Sequence, residues 1–163
     1  MDKFTKSFFA LMLLLSMFCG SLKAQGLYQV DIKDDIGPNA WRTLHKAYQE
    51  ALKQKSTVFL VELNTFGGAV NFADSIRSTL LNSKLRTAVY VNHNAASAGA
   101  LIALASDDIF MQKGASLGAA SVVNQEGEIM PEKYQSYMRG LMRATAEAKG
   151  RDPKIAEAFV DAE

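Results

Sequence analysis

The sequence predicts an α/β domain, and three observations predict it. Short apolar runs alternate with amphipathic stretches. Two of those runs end in turns of small residues, Gly67-Gly68 and Ala95-Ala96-Ser97-Ala98-Gly99. The run Val58 to Leu63 is almost continuously apolar, as a strand of a parallel sheet covered on both faces would be.

The elements follow in order. Tyr28 to Lys33 alternates apolar and polar residues and reads as a short strand. Asp34 to Asn39 holds two aspartates, Gly37, Pro38 and Asn39, a turn composition. Trp41, Leu44, Tyr48 and Leu52 recur at helical spacing, so Ala40 to Lys53 is an amphipathic helix. Val58 to Leu63 is the next strand. Phe72, Ile76 and Leu80 mark a second helix beyond the glycine pair. Thr87 to Val91 is a strand, and Leu101 to Ala105 reads as a buried helix. Asp108 to Met111 begins another strand. Gly118 to Gly127 reads as a loop of small and polar residues. Pro131 opens a long helix, Glu132 to Lys149, as proline favours a first turn. Gly150-Arg151-Asp152-Pro153 breaks it, and Lys154 to Val160 is a last helical pattern. Parallel strands joined by helices imply right-handed crossovers.

Length and charge set limits. The chain has 163 residues, enough for one domain, and a net charge of +1. No basic block stands out, so nucleic acid is not an expected partner. Residues 1–24 read as a secretory signal peptide: Lys3 and Lys6, an apolar run from Phe8 to Phe18, then Leu22-Lys23-Ala24. That run is too short to cross a membrane as a helix. Removing the segment's net +2 leaves the remainder at −1. The single cysteine, Cys19, lies within it, so the expected mature part, residues 25–163, has neither a disulfide nor a thiol nucleophile. No cluster with metal-ligand spacing and no phosphate-binding loop is visible, and neither a metal nor another cofactor is expected.

Ser97 carries the functional reading. One hydroxyl framed by small residues at a strand-to-helix turn suits an exposed nucleophile. Gly67 and Gly68, in the preceding unit, suit a turn whose backbone N–H groups face a developing oxyanion. An ordinary strand-to-helix turn accounts for a glycine pair equally well when taken alone.

Leu63 to Val70, then Ala95 to Gly99, then Gly114 to Ala120, in this order and spacing, resemble the ClpP-class serine peptidases. Within that class the chain is most similar to the membrane-associated NfeD-type proteins, from about Tyr28 onward. The resemblance implies the ClpP/crotonase fold, a spiral of β-β-α units. It implies a peptidase domain over residues 25–163, shorter than its relatives and so expected to be a fragment. It places the oxyanion donors on the N–H groups of Gly68 and Ala98. Phe66, Gly67 and Ala69 are then the substrate-binding candidates, with Phe66 standing where the family usually has proline.

A serine needs a base. The chain's two histidines, His45 and His93, both precede Ser97, whereas the ClpP triad histidine follows the serine. His93 is too near in sequence to fold back. The NfeD-like branch places a lysine at the head of the long helix, which is Lys133 here, for a Ser-Lys dyad. A lysine serves as a base only when its pKa falls well below about 10.4. Burial would achieve this, with Ile129, Met130 and Tyr134 as the expected dry wall.

The expectation is an exported or membrane-associated serine endopeptidase acting on hydrophobic segments of membrane proteins, stomatin-like proteins among them. It is expected to work as a homodimer or larger homo-oligomer. A catalytically weak scaffold or membrane-assembly module is the alternative. An acyl-thioester enzyme of the crotonase superfamily is disfavoured because neither glycine-rich turn holds an acidic residue.

Overall fold

The computed structural model describes residues 26–161. The signal-peptide segment lies outside them. Five strands form one parallel sheet: β1 (Leu27–Ile32), β2 (Val58–Thr65), β3 (Arg86–Ala96), β4 (Asp108–Met111) and β5 (Ser116–Gly118). The order is β1-β2-β3-β4, and β5 also pairs with β3. β4 runs beside Ala88 to Val91, and β5 beside Asn94 to Ala96. The two short strands thus lie one after the other along the same long strand.

The helices are α1 (Pro38–Lys53), α2 (Val70–Leu81), α3 (Ala98–Leu104), α4 (Glu132–Ala148) and α5 (Pro153–Ala158). α1 packs against β1, α3 against β2 and β3, and α2 lies between α1 and α3. The core forms beneath them. In β2, Phe59, Val61, Leu63 and Thr65 are buried, while Val58, Leu60, Glu62 and Asn64 are only partly covered. Register carries this pattern across the sheet: Val30, Val61, Val89 and Ile109 lie side by side.

The continuous apolar run therefore does not mean burial on both faces. On the opposite face, Leu27, Val58, Leu60, Ala88, Tyr90 and Phe110 line a shallow groove of about 550 Å³. Beyond it, toward the strands' C-terminal ends, Lys33, Gln29 and Asn92 gather around Asp31 and Glu62.

Several boundaries differ from the pattern-based ones. β3 continues past Val91 to Ala96, because β2 and β5 pair with the polar stretch as well. β5 ends at Gly118, where the sequence suggests only the start of a loop. Pro131 precedes the first residue of α4 and is extended, with ψ 152, so it stands before the helix and not in its first turn.

Candidate active site

β3 ends at Ala96 and α3 begins at Ala98, so Ser97 alone makes the reversal. Its backbone is at φ 53 and ψ −116, a region L-residues rarely occupy. Such a conformation costs about 1–3 kcal/mol and survives only when its surroundings impose it. Several contacts do so. The Ser97 N–H donates to the Gly118 carbonyl at 2.8 Å. α3 is buried along its whole length and contains only Ala, Gly, Leu and Ile. Gly99 packs so closely on β2 that a methyl there would meet Thr65 Cγ2 at 2.8 Å. The small residues around Ser97 thus let a helix sit directly on the sheet.

The glycine turn faces this reversal. Gly67 is at φ 123, and a methyl on it would lie 2.7 Å from Ser97 Cβ and 3.1 Å from its Oγ. Gly68, at φ 144, lies against Ile36, where a methyl would meet the carbonyl oxygen at 2.4 Å. The Ile36 N–H donates to the Gly67 carbonyl, and the Ala69 N–H donates to the Ile36 carbonyl. The Gly67 N–H is taken by Thr65 Oγ1 at 3.1 Å. Among the described residues, neither the Gly68 N–H nor the Ala98 N–H finds an acceptor. Ala98 opens α3, so its N–H has no intrahelical partner and lies at the positive end of the helix.

Phe66 and Ala69 flank this turn. Phe66 is 79% exposed. With Asp34, Asp35, Asn39 and Asn64 it lines a cleft of about 610 Å³ at the C-terminal ends of β1 and β2. Ligands of open parallel sheets bind at this end. Ala69 is exposed and precedes α2.

Ser97, Gly67, Gly68 and Ala98 are therefore brought together. Lys133 is not joined to them by any hydrogen bond. It is exposed in the first turn of α4, its Nζ lying 4.8 Å from the centre of the Tyr134 ring. The expected dry wall is open among the described residues: Ile129 is 65% exposed and Tyr134 39%, while Met130 is half-buried. The loop before α4 turns outward because its contacts are polar and local. Asn124 Oδ1 accepts from the N–H groups of Glu126 and Glu128, and Gln135 holds Val122 and Met130. His93 is exposed at the end of the apolar part of β3.

A second cluster lies at the other end of α3, and the sequence pattern did not disclose it. The Arg151 guanidinium donates to the carbonyls of Leu104 (3.1 Å), Ser106 (2.8 Å) and Asp107 (3.0 Å). Lys149 Nζ donates to Asp107 Oδ1 at 2.6 Å. Asp107 Oδ2 accepts from the N–H and the hydroxyl of Thr87, at 2.7 and 2.9 Å. Burial pushes the Asp107 carboxyl up, but Lys149 and the two Thr87 donors outweigh it and hold the group below its ordinary value. Burial also lowers Arg151, against the pull of Asp107 and Asp108.

A parallel α/β sheet of this kind is the fold of ClpP-like protease domains. Among solved structures, ClpP1 from Listeria monocytogenes shares this fold, with a TM-score of 0.65 at 22% identity over 83% of this chain and 80% of that one. The chain belongs to the NfeD1b N-terminal domain family, whose model matches residues 26–163. It is 31% identical to membrane protein NfeD1b of Bacillus subtilis (strain 168), over 94% of this chain and 35% of the relative. It is 29% identical to the membrane-bound protease PH1510 of Pyrococcus horikoshii, over 91% of this chain and 36% of that one. The chain thus spans about a third of the length of these curated relatives. Two solved structures of the 1510-N membrane-bound stomatin-specific protease are also similar. One is a serine-to-alanine mutant, with a TM-score of 0.80 and 29% identity over 85% of this chain and 71% of that one. The other is a lysine-to-alanine mutant in complex with a substrate peptide, with a TM-score of 0.79 and 29% identity over 85% and 67% of the two chains.

Proposed function

We propose that the domain is a serine endopeptidase in which Ser97 is the nucleophile and Lys133 the general base. The observation that carries this reading is the strained Ser97 turn, with its side chain against Gly67 and the unpaired N–H groups of Gly68 and Ala98 beside it. Ser97 Oγ attacks the peptide carbonyl carbon as its proton passes to Lys133 Nζ. The Gly68 and Ala98 N–H groups hold the oxyanion. The C–N bond then breaks, Lys133 returns the proton to the departing amine, and water hydrolyses the acyl ester. Phe66, Gly67 and Ala69 border the path of the substrate backbone.

An amine acts as a base only in dry surroundings, and Lys133 stands exposed. In this reading the bound substrate and a second copy of the chain cover it, which makes the active unit a homodimer or larger homo-oligomer. Export through residues 1–24 places the domain outside the cytoplasm or at a membrane. Its substrates are then hydrophobic segments of membrane-associated proteins, stomatin-like ones included. The relatives named as membrane-bound and stomatin-specific proteases support that choice.

The test is cleavage of a hydrophobic peptide by the unaltered chain beside Ser97→Ala and Lys133→Ala. Both variants should lose activity alike, and the double variant should be no worse, because the two groups act as a unit. Cleavage undiminished in Ser97→Ala removes the nucleophile. A second reading, a catalytically weak scaffold, is favoured by the exposure of Lys133. It predicts no labelling of Ser97 by a fluorophosphonate.

A further inference from the structure

The strand and the helix that meet at Ser97 are both held at their far ends by one turn. Near the start of β3, Thr87 donates its N–H and hydroxyl to the Asp107 carboxylate, and its carbonyl and hydroxyl oxygens accept from the Asp107 N–H. α3 ends at Leu104, whose carbonyl accepts from Arg151. Lys149 completes the connection by pairing with Asp107 from a side chain only 12% exposed. Lys149 and Arg151 both belong to the turn that ends α4.

Two physical consequences follow. α3 is seven residues long and wholly apolar, so it cannot satisfy its own final carbonyls. Ala105 and Ser106 bond the Ile102 and Ala103 carbonyls, and Arg151 takes that of Leu104, the last residue of the helix, adding positive charge at its negative end. The strained Ser97 turn is also closed at its base, where fraying of α3 or slippage of β3 would otherwise relax it. Lys133 sits on the same α4, sixteen residues before Lys149, about 24 Å along the axis. One clamp therefore fixes the nucleophile's turn and the base's helix in a common frame.

We infer that Arg151, backed by the Lys149–Asp107–Thr87 chain, is a positioning residue for Ser97, setting the strained backbone on which its reactivity depends. The inference rests on the peptidase reading and deepens it.

The experiment uses the full chain and measures three quantities: the rate of Ser97 labelling by a small fluorophosphonate, kcat and KM on a peptide, and the melting temperature. Arg151→Gln should slow labelling and lower kcat at least tenfold while KM stays within twofold. Arg151→Lys should fall between, since an ammonium cannot serve three carbonyls in a fixed fork. Millimolar guanidinium should restore part of the labelling rate to Arg151→Ala. If Arg151→Gln does not fold, Lys149→Met carries the same expectation with the guanidinium bonds intact. Leu80→Ala, in the core beneath α2, is the control: it destabilises without touching the clamp. Equal slowing by Leu80→Ala at matched melting temperature, or an unchanged labelling rate in folded Arg151→Gln, overturns the inference alone. An unaltered chain whose Ser97 neither labels nor is needed for cleavage overturns the peptidase reading and this inference with it.

Discussion

Ser97 and Gly67 depend on one another. Gly67 leaves space that the Ser97 side chain occupies, and its φ of 123 is open to glycine at little cost. Gly67→Ala should therefore do two things at once. It should destabilise the fold by about 1–3 kcal/mol through backbone strain. It should also displace Ser97 Oγ and slow its labelling by more than the loss of folded protein explains. Melting curves beside fluorophosphonate labelling separate the two effects, and a labelling loss no larger than the unfolded fraction would refute the second. Ser97, Gly67 and Gly68 were legible because small residues at a turn leave a mark in the sequence. The surroundings of Lys133 were not. Apolar neighbours such as Ile129 and Tyr134 look like a wall when written in a line, yet the polar contacts of Asn124 and Gln135 turn them outward.

The last helix contributes more than its length suggests. Asp152 caps α5 by accepting from the Lys154 N–H at 2.8 Å. Just beyond α5, the Phe159 carbonyl accepts from the Ala120 N–H, and the Phe159 ring would meet a methyl on Gly118 at 3.2 Å. Gly118 in turn holds the Ser97 N–H. Asp152→Ala should cost about 1 kcal/mol, the usual value of an N-cap, seen as a lower urea midpoint at unchanged slope. An unchanged midpoint would show that α5 is held by packing alone. The periodic helices were readable because an amphipathic stripe repeats over several turns. β5 and the polar end of β3 were not. Three residues carry no period, and Asn92 to Ala96 are strand because β2 and β5 pair with them from either side, with Asn64 and Ser116 side chains bonding Asn94.

At the scale of the whole chain, three carboxyls with lowered pKa contribute to the loss of stability in acid, Asp31 and Asp108 weakly because their ion pairs face solvent. Lys33 and Gln29 hold Asp31 down, Arg86 holds Asp108 down, and Asp107 is held down as described. Each binds protons more weakly folded than unfolded. Their stabilisation is therefore complete above the unfolded value near pH 4, and it is lost as pH falls through the lower folded values. Thermal melts should show a steady decline below about pH 4. Asp107→Asn should flatten part of that decline and leave the Lys149 ammonium without its carboxylate. A pH profile identical to that of the unaltered chain would exclude Asp107 as a contributor. The α/β class was legible from alternation alone. What alternation did not show is that, among the described residues, one sheet face carries a groove and not a helical layer, because an apolar strand residue reads the same whatever covers it.

The central position of β3 has a consequence in time. Its neighbours come from residues 58–65, 108–111 and 116–118, and the clamp on its turn comes from residues 149–151. Most of the chain must be in place before Ser97 is bent into its strained conformation. Contacts so far apart in sequence close slowly, whereas helices form early. During refolding from urea, the helical circular dichroism signal should return first and reactivity toward a pulse of fluorophosphonate last. On the proposed peptidase reading, the serine would then act as a clock that starts only once the domain is whole, so that partly folded copies of the chain carry no armed nucleophile.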